Sequence, residues 1–127
     1  MTPDTLSGLP TLDFTGDFWD ALDQLVARCP IVIDRPKDSA HPRYPSLIYP
    51  VDYGYLDGTT SSDGVEIDVW RGSEGSTRVN AISCSVDGLK RDAEIKLLIG
   101  CTPDDQMLIL AQMNSGVMRA IIVRRDT

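Results

Sequence analysis

The stretch Tyr49-Pro50-Val51-Asp52-Tyr53-Gly54-Tyr55-Leu56, followed after a loop by Asp63-Gly64-Val65-Glu66-Ile67-Asp68-Val69-Trp70, decides how this chain is read. Tyrosines stand at 49, 53 and 55, and three acids within six residues lead into an apolar run. Side chains two apart on a strand share a face, so Glu66 and Asp68 point one way while Val65, Ile67 and Val69 point the other. Asp63 can join the acids from the preceding turn. Carboxylates turned inward without partners would each cost on the order of several kcal/mol, which a bound cation offsets. A hard ion such as Mg²⁺ needs only a few carboxylates, water and substrate phosphate. Turned outward, the same acids form an ordinary solvated strand face.

The flanking sequence supplies a frame. Asp17 is a candidate N-cap for a helix carrying Phe18, Leu22, Leu25 and Val26 on one face and ending at Cys29-Pro30. The β-branched run Ile31-Val32-Ile33 predicts a strand that enters a polar, proline-studded loop over 34–42. Residues 47–56 read as extended, and 65–70 as a strand. Residues 79–86 and 95–101 predict an antiparallel pair joined by the polar turn 87–92. Thr102-Pro103-Asp104-Asp105 combines a cap, proline at the first helical position and first-turn acids, opening a second helix that fades at Asn114-Ser115-Gly116. A last strand spans 117–123. Short strands separated by turns, with helices near the ends, predict a mainly β chain of the α+β class, a small barrel flanked by helices. Residues 1–15 read as an N-terminal arm and 16–127 as one domain.

With 127 residues, 42% hydrophobic and 24% charged, the chain is long enough for one core. No apolar run approaches the roughly 20 residues that span a bilayer, and the N-terminus lacks a basic and apolar leader, so a cytoplasmic location with no membrane partner is expected. Cys29, Cys84 and Cys101 are widely spaced and read as reduced thiols. The net charge of −7 argues against a nucleic-acid partner, and it excludes an anionic substrate unless metal ions mediate the contact.

The string Y-P-V-D-Y-G-Y before D-G-V-E-I-D-V resembles the signature of the soluble inorganic pyrophosphatases, Y-P-x-N-Y-G-[FY]-[IV]-x-x-T and then D-G-D-P-x-D-V. Tyr49, Pro50, Tyr53, Gly54, Tyr55, Asp63, Gly64, Asp68 and Val69 match. Asp34 and Pro36 resemble a further E-[IV]-P-K-G element, and Glu94 with Lys96 a later D-x-K. The resemblance covers roughly 31–99, with both ends unmatched, so the form is shortened and partly divergent. It implies a five-stranded OB-like barrel, homo-oligomers, and Mg²⁺ as cofactor, with Mn²⁺ as an alternative. It also implies a phosphate-bearing small molecule as substrate. Asp63, Asp68, Glu94 and, at the edge, Asp34 would hold metal. Arg43, Lys96 and Lys37 would contact phosphate, and Tyr53 would hydrogen-bond phosphate or water. Metals would lower the pKa of a shared water and neutralise the leaving phosphate.

The departures bear on chemistry. Where the family has the second acid of D-G-D-P, this chain has Val65, and Glu66 is the substitute base, making Glu66, Tyr53 and Asp68 the candidate catalytic set. The hairpin that normally precedes the tyrosine motif is absent or shortened, and with it a phosphate-binding arginine; a distal Tyr-Lys pair is missing as well. Lys90, Arg91, Arg119, Arg124 and Arg125 are alternative phosphate cations, or a solvated surface. His41 is a general acid or a loop residue, and Asp87 and Asp92 are metal ligands or turn residues. Four readings follow: a pyrophosphatase; the same site acting on another phosphoanhydride or a nucleotide; a metal and diphosphate binding module without turnover; and an OB-like interaction domain. Eight aromatic residues and the acidic charge weigh against the nucleic-acid form of the last.

Overall fold

A computed structural model describes residues 11–126, so residues 1–10 of the expected arm lie outside it. Helix α1 (Phe18–Arg28) begins at the Asp17 cap, whose carboxylate accepts from Asp20 N while Asp20 reaches back to Asp17 N. Within the arm, Thr15 is tied to Gln24 through both its N–H and its carbonyl. Strands β1 (Ile31–Arg35), β2 (Asp52–Leu56), β3 (Ile67–Arg71), β4 (Val79–Asp87) and β5 (Asp92–Ile99) follow. Helix α2 (Pro103–Met113) and strand β6 (Met118–Arg124) complete the described chain.

The strands form one sheet in the order β1-β2-β3-β5-β4-β6, antiparallel except for the β3–β5 pair. The sheet is open and six-stranded, where a small five-stranded OB-like barrel was expected. Closure requires the first and last strands to hydrogen-bond, whereas β1 pairs only with β2 and β6 only with β4 among the described residues. Strand β6 lies along seven residues of β4 and becomes a sixth strand at an open edge. The β4–β5 hairpin and both helix caps agree with the local sequence signals.

Alternation along the strands gives the sheet two apolar faces. One carries Leu56, Val69, Ile82, Leu97 and Ile99 and packs against α1 through Val26, Trp19, Leu22 and Leu25. The other carries Trp70, Ala81 and Leu98 and packs against Ile109 and Met113 of α2, with Tyr49 and Val51 from the loop before β2. Leu56, Leu97, Leu98, Ile99 and Ile109 are fully buried, each stabilising the fold by about 1.5–3 kcal/mol relative to exposure. The sheet is thus fixed from both sides, and one end of the second face is left for polar side chains.

The buried carboxylate of Asp105 joins α2 to the loop after β3. It accepts from Ser73 N at 2.9 Å, Ser73 Oγ at 2.9 Å and Thr102 N at 3.0 Å. Burial works against its charge, but these donors outweigh burial and hold its pKa below the ordinary value. A depressed folded pKa gives stability that is fully present above the unfolded value of about 3.9 and is lost as pH falls through the folded one. Asp105→Ala is expected to cost about 2–4 kcal/mol in urea unfolding at pH 7, and less below pH 3. Burial raises the Cys101 thiol to about 12, consistent with an inert reduced cysteine.

Candidate active site

Register places the polar residues of three strands together. Tyr53 lies opposite Trp70, Tyr55 opposite Asp68, Lys96 opposite Ser83 and Glu94 opposite Ser85. Cross-strand partners share a face, so Tyr53, Asp68, Glu94 and Lys96 converge on the side covered by α2, beyond its apolar contacts. Lys96 Nζ is the hub: it donates to Asp68 Oδ2 at 3.0 Å, to Glu94 Oε1 at 3.0 Å and to Tyr53 Oη at 3.1 Å. Tyr53 in turn donates its hydroxyl proton to the same Asp68 oxygen at 2.7 Å. Side-chain exposures of 8% for Lys96, 17% for Glu94 and 30% for Asp68 grade the cluster from a buried ammonium to a solvent-reaching carboxylate.

Burial dominates the Tyr53 phenol and pushes its pKa up, so it stays protonated and keeps donating. Burial also opposes the charge on Lys96, but the Tyr53 oxygen and the Asp68 and Glu94 carboxylates outweigh it, and the lysine titrates above its ordinary value. One ammonium between two carboxylates leaves a net charge of −1. Trp70 Nε1 and Ser83 Oγ are buried on this face and have no hydrogen-bond partner among the described residues.

The remaining predicted residues make no hydrogen bond to this hub. Asp63 is exposed in the loop before β3, accepting from Ser61 Oγ and Val65 N. The Ser61 hydroxyl and then the Val65 amide hold its pKa below the ordinary value. Glu66 is exposed too, lining a shallow polar depression with Asp57, Thr59 and Thr60. Strand β3 begins at Ile67, two residues later than the sequence pattern predicted, so the alternation that paired Glu66 with Asp68 does not extend to Glu66. Asp34 is exposed on β1, and Lys37 and Arg43 are exposed in the loop between β1 and β2. The Lys37 amide donates to Asp52 and the Arg43 amide to His41.

His41 stacks on Tyr49 at 6.2 Å; burial, then the charges of Arg35, Arg43 and Lys90, hold it below its ordinary pKa and therefore neutral at pH 7. Arg124 is bonded to Gln106, Arg125 to Asp20 and Asp23, and Arg119 to carbonyls of its own segment. Asp87 accepts the amides of Leu89 and Lys90, the behaviour of a turn residue. Sequence reasoning overlooked Arg35, whose Nη1 donates to Tyr49 Oη at 2.6 Å beside the hub. A cavity of about 770 Å³ lies on the α1 side, lined by Phe18, Leu22, Ile67, Ile95, Leu97 and Ile121. Its lining is mostly apolar, with Glu94 and Arg119 as its charged members.

Among the described residues no three His, Cys, Asp or Glu side chains lie close enough together to hold a metal ion. The fourfold ligand set implied by resemblance, Asp63, Asp68, Glu94 and Asp34, is therefore not gathered. Asp68 and Glu94 nevertheless fit one hydrated Mg²⁺, which takes one or two carboxylates plus water and phosphate. Their residual charge of −1 favours a cation, and each uses a single oxygen in the hydrogen bonds to Lys96 and Tyr53.

The sequence matches no protein-family model and no curated protein. The fold is similar to that of solved inorganic pyrophosphatases. It is similar to the inorganic pyrophosphatase of Neisseria gonorrhoeae with a TM-score of 0.51 and 22% identity, over 70% of this chain and 77% of that one. It is similar to the inorganic pyrophosphatase of Helicobacter pylori with a TM-score of 0.54 and 16% identity, over 74% and 81% of the two chains. A protein described as an inorganic phosphatase, from Anaplasma phagocytophilum, aligns with a TM-score of 0.52 and 15% identity over 74% and 81%. No helix of the described residues is long and apolar enough to cross a membrane.

Proposed function

We propose that the chain hydrolyses inorganic pyrophosphate to two phosphates with Mg²⁺ or Mn²⁺. The observation that carries this reading is the Tyr53–Asp68–Lys96–Glu94 network, built on the fold of the inorganic pyrophosphatases. Asp68 and Glu94 would hold the divalent ion, which supplies Lewis acidity toward phosphate oxygen and water. Lys96 places a fixed positive charge beside them, where negative charge grows on the phosphates during displacement. Tyr53 keeps the Asp68 carboxylate oriented, and its phenol supplies an oxygen that accepts from Lys96. A water oxygen forms the new bond to one phosphorus while the bridging P–O bond breaks with its electron pair on the departing phosphate.

Glu66, exposed in the loop before β3 and not bonded to the hub, is the candidate acceptor of the water's proton. Glu66→Gln is expected to lower kcat about 100-fold with KM changed little. Full turnover in that variant would remove Glu66 from the chemistry. The exposed position of Glu66 and the valine at 65 favour a second reading, a metal and diphosphate binding module with impaired turnover. Release of phosphate from pyrophosphate, run beside nucleoside triphosphates and other phosphoanhydrides, separates these readings. Preference for pyrophosphate supports the first, release from a different anhydride redirects the substrate assignment, and binding without release supports the module.

A further inference from the structure

We propose that Arg35 grips the second phosphate of a diphosphate whose first phosphate lies at Lys96, which makes the site selective for diphosphates over orthophosphate; the inference rests on the phosphoanhydride reading above. A β-bulge brings Arg35 to this place. The β1–β2 register runs regularly from Ile31 to Ile33, then slips so that Arg35, not Asp34, pairs with Tyr53. Bulges of this kind re-aim side chains. The slip sets an arginine on the tyrosine side of the sheet and leaves Asp34 exposed.

The guanidinium carbon is 5.9 Å from the centre of the Tyr53 ring, and Lys96 Nζ is 5.6 Å from the same centre. Both cations thus lie within 6 Å of the centre of one phenol ring. The Arg35 side chain has one hydrogen bond, to the Tyr49 hydroxyl, and no carboxylate partner among the described residues. Its other N–H groups remain for an oxyanion, and a guanidinium fork matches the paired oxygens of phosphate. The arginines near the last strand are occupied elsewhere: Arg119 by backbone carbonyls, Arg124 by Gln106 and Arg125 by Asp20 and Asp23. Arg35 thus stands where this acidic chain needs a second cation.

Calorimetry with Mg²⁺ and the non-hydrolysable methylenediphosphonate, beside orthophosphate, tests the assignment in wild type, Arg35→Gln and Arg35→Lys. Arg35→Gln is expected to lose roughly 10- to 100-fold in diphosphonate affinity and less than about twofold for orthophosphate, with Arg35→Lys in between. Unchanged diphosphonate binding, equal losses for both ligands, or a wild type that binds no diphosphonate would overturn it. If Arg35→Gln does not fold, the lysine variant decides: selective weakening toward diphosphonate supports the grip, and wild-type binding overturns it. Wild type that binds diphosphonate but releases no phosphate from pyrophosphate refutes turnover while leaving the Arg35 assignment standing.

Discussion

Lys96→Met is expected to lower pyrophosphate turnover by at least about 100-fold and to destabilise the fold by about 2–4 kcal/mol. Among the described residues the ammonium is the single cation bonded to both Asp68 and Glu94. Removing it leaves two carboxylates facing each other and takes a donor from the Tyr53 oxygen. Breaking a fully buried pair costs about 3–5 kcal/mol, and the partial exposure of Asp68 and Glu94 reduces that figure through solvent screening. Methionine fills the space of the lysine stem, so packing loss contributes little. Urea unfolding and the phosphate-release assay read the two effects separately, and Lys96→Arg should recover much of the stability because it keeps the charge.

Gly54→Ala is expected to be the most damaging of the small substitutions, on the order of 4 kcal/mol or loss of folding altogether. A β-carbon at this position would lie 1.8 Å from the Val32 carbonyl oxygen and 2.9 Å from Ile33 Cα, both in the backbone of β1. Rotation of a side chain cannot relieve that clash; β1 would have to separate from β2. The glycine of the Tyr53-Gly54-Tyr55 motif is thus a close-approach residue. Its loss would also displace Arg35, which pairs with Tyr53 across the same strands. Thermal unfolding of Gly54→Ala checks the prediction, and a wild-type midpoint would refute it.

Signals within a few residues of one another were legible in the sequence. Asp17 and Thr102 cap their helices as their residue types predict, and the β4–β5 hairpin turns where its polar residues indicate. Strand pairing order was less so. The parallel contact of β3 with β5 joins segments with a whole strand between them in sequence, and nothing in either segment specifies its neighbour or whether the sheet closes.

The site divides along the same line. Tyr53, Asp68, Glu94 and Lys96 sit in regular strands, where motif and alternation carry spatial information, and the structure brings them together. Asp63 and Glu66 sit in the loop before β3, where period-two reasoning has no purchase; Gly64 adopts φ +87° between them. Arg35 was hidden by the opposite failure: the bulge at Asp34 inverts the facing expected from alternation, and only the approaching Pro36 hints that the strand is about to end.

The most direct test is release of phosphate from pyrophosphate by purified protein with Mg²⁺, wild type beside Asp68→Asn. Asp68 is more exposed than Lys96 and Glu94 and accepts from both Tyr53 and Lys96, so its amide should fold yet lose the carboxylate that would hold the ion. Metal-dependent release by wild type, reduced at least about 100-fold in folded Asp68→Asn, is the predicted result. No release by wild type, or equal release by both proteins, would contradict the assignment of this network as a pyrophosphatase site.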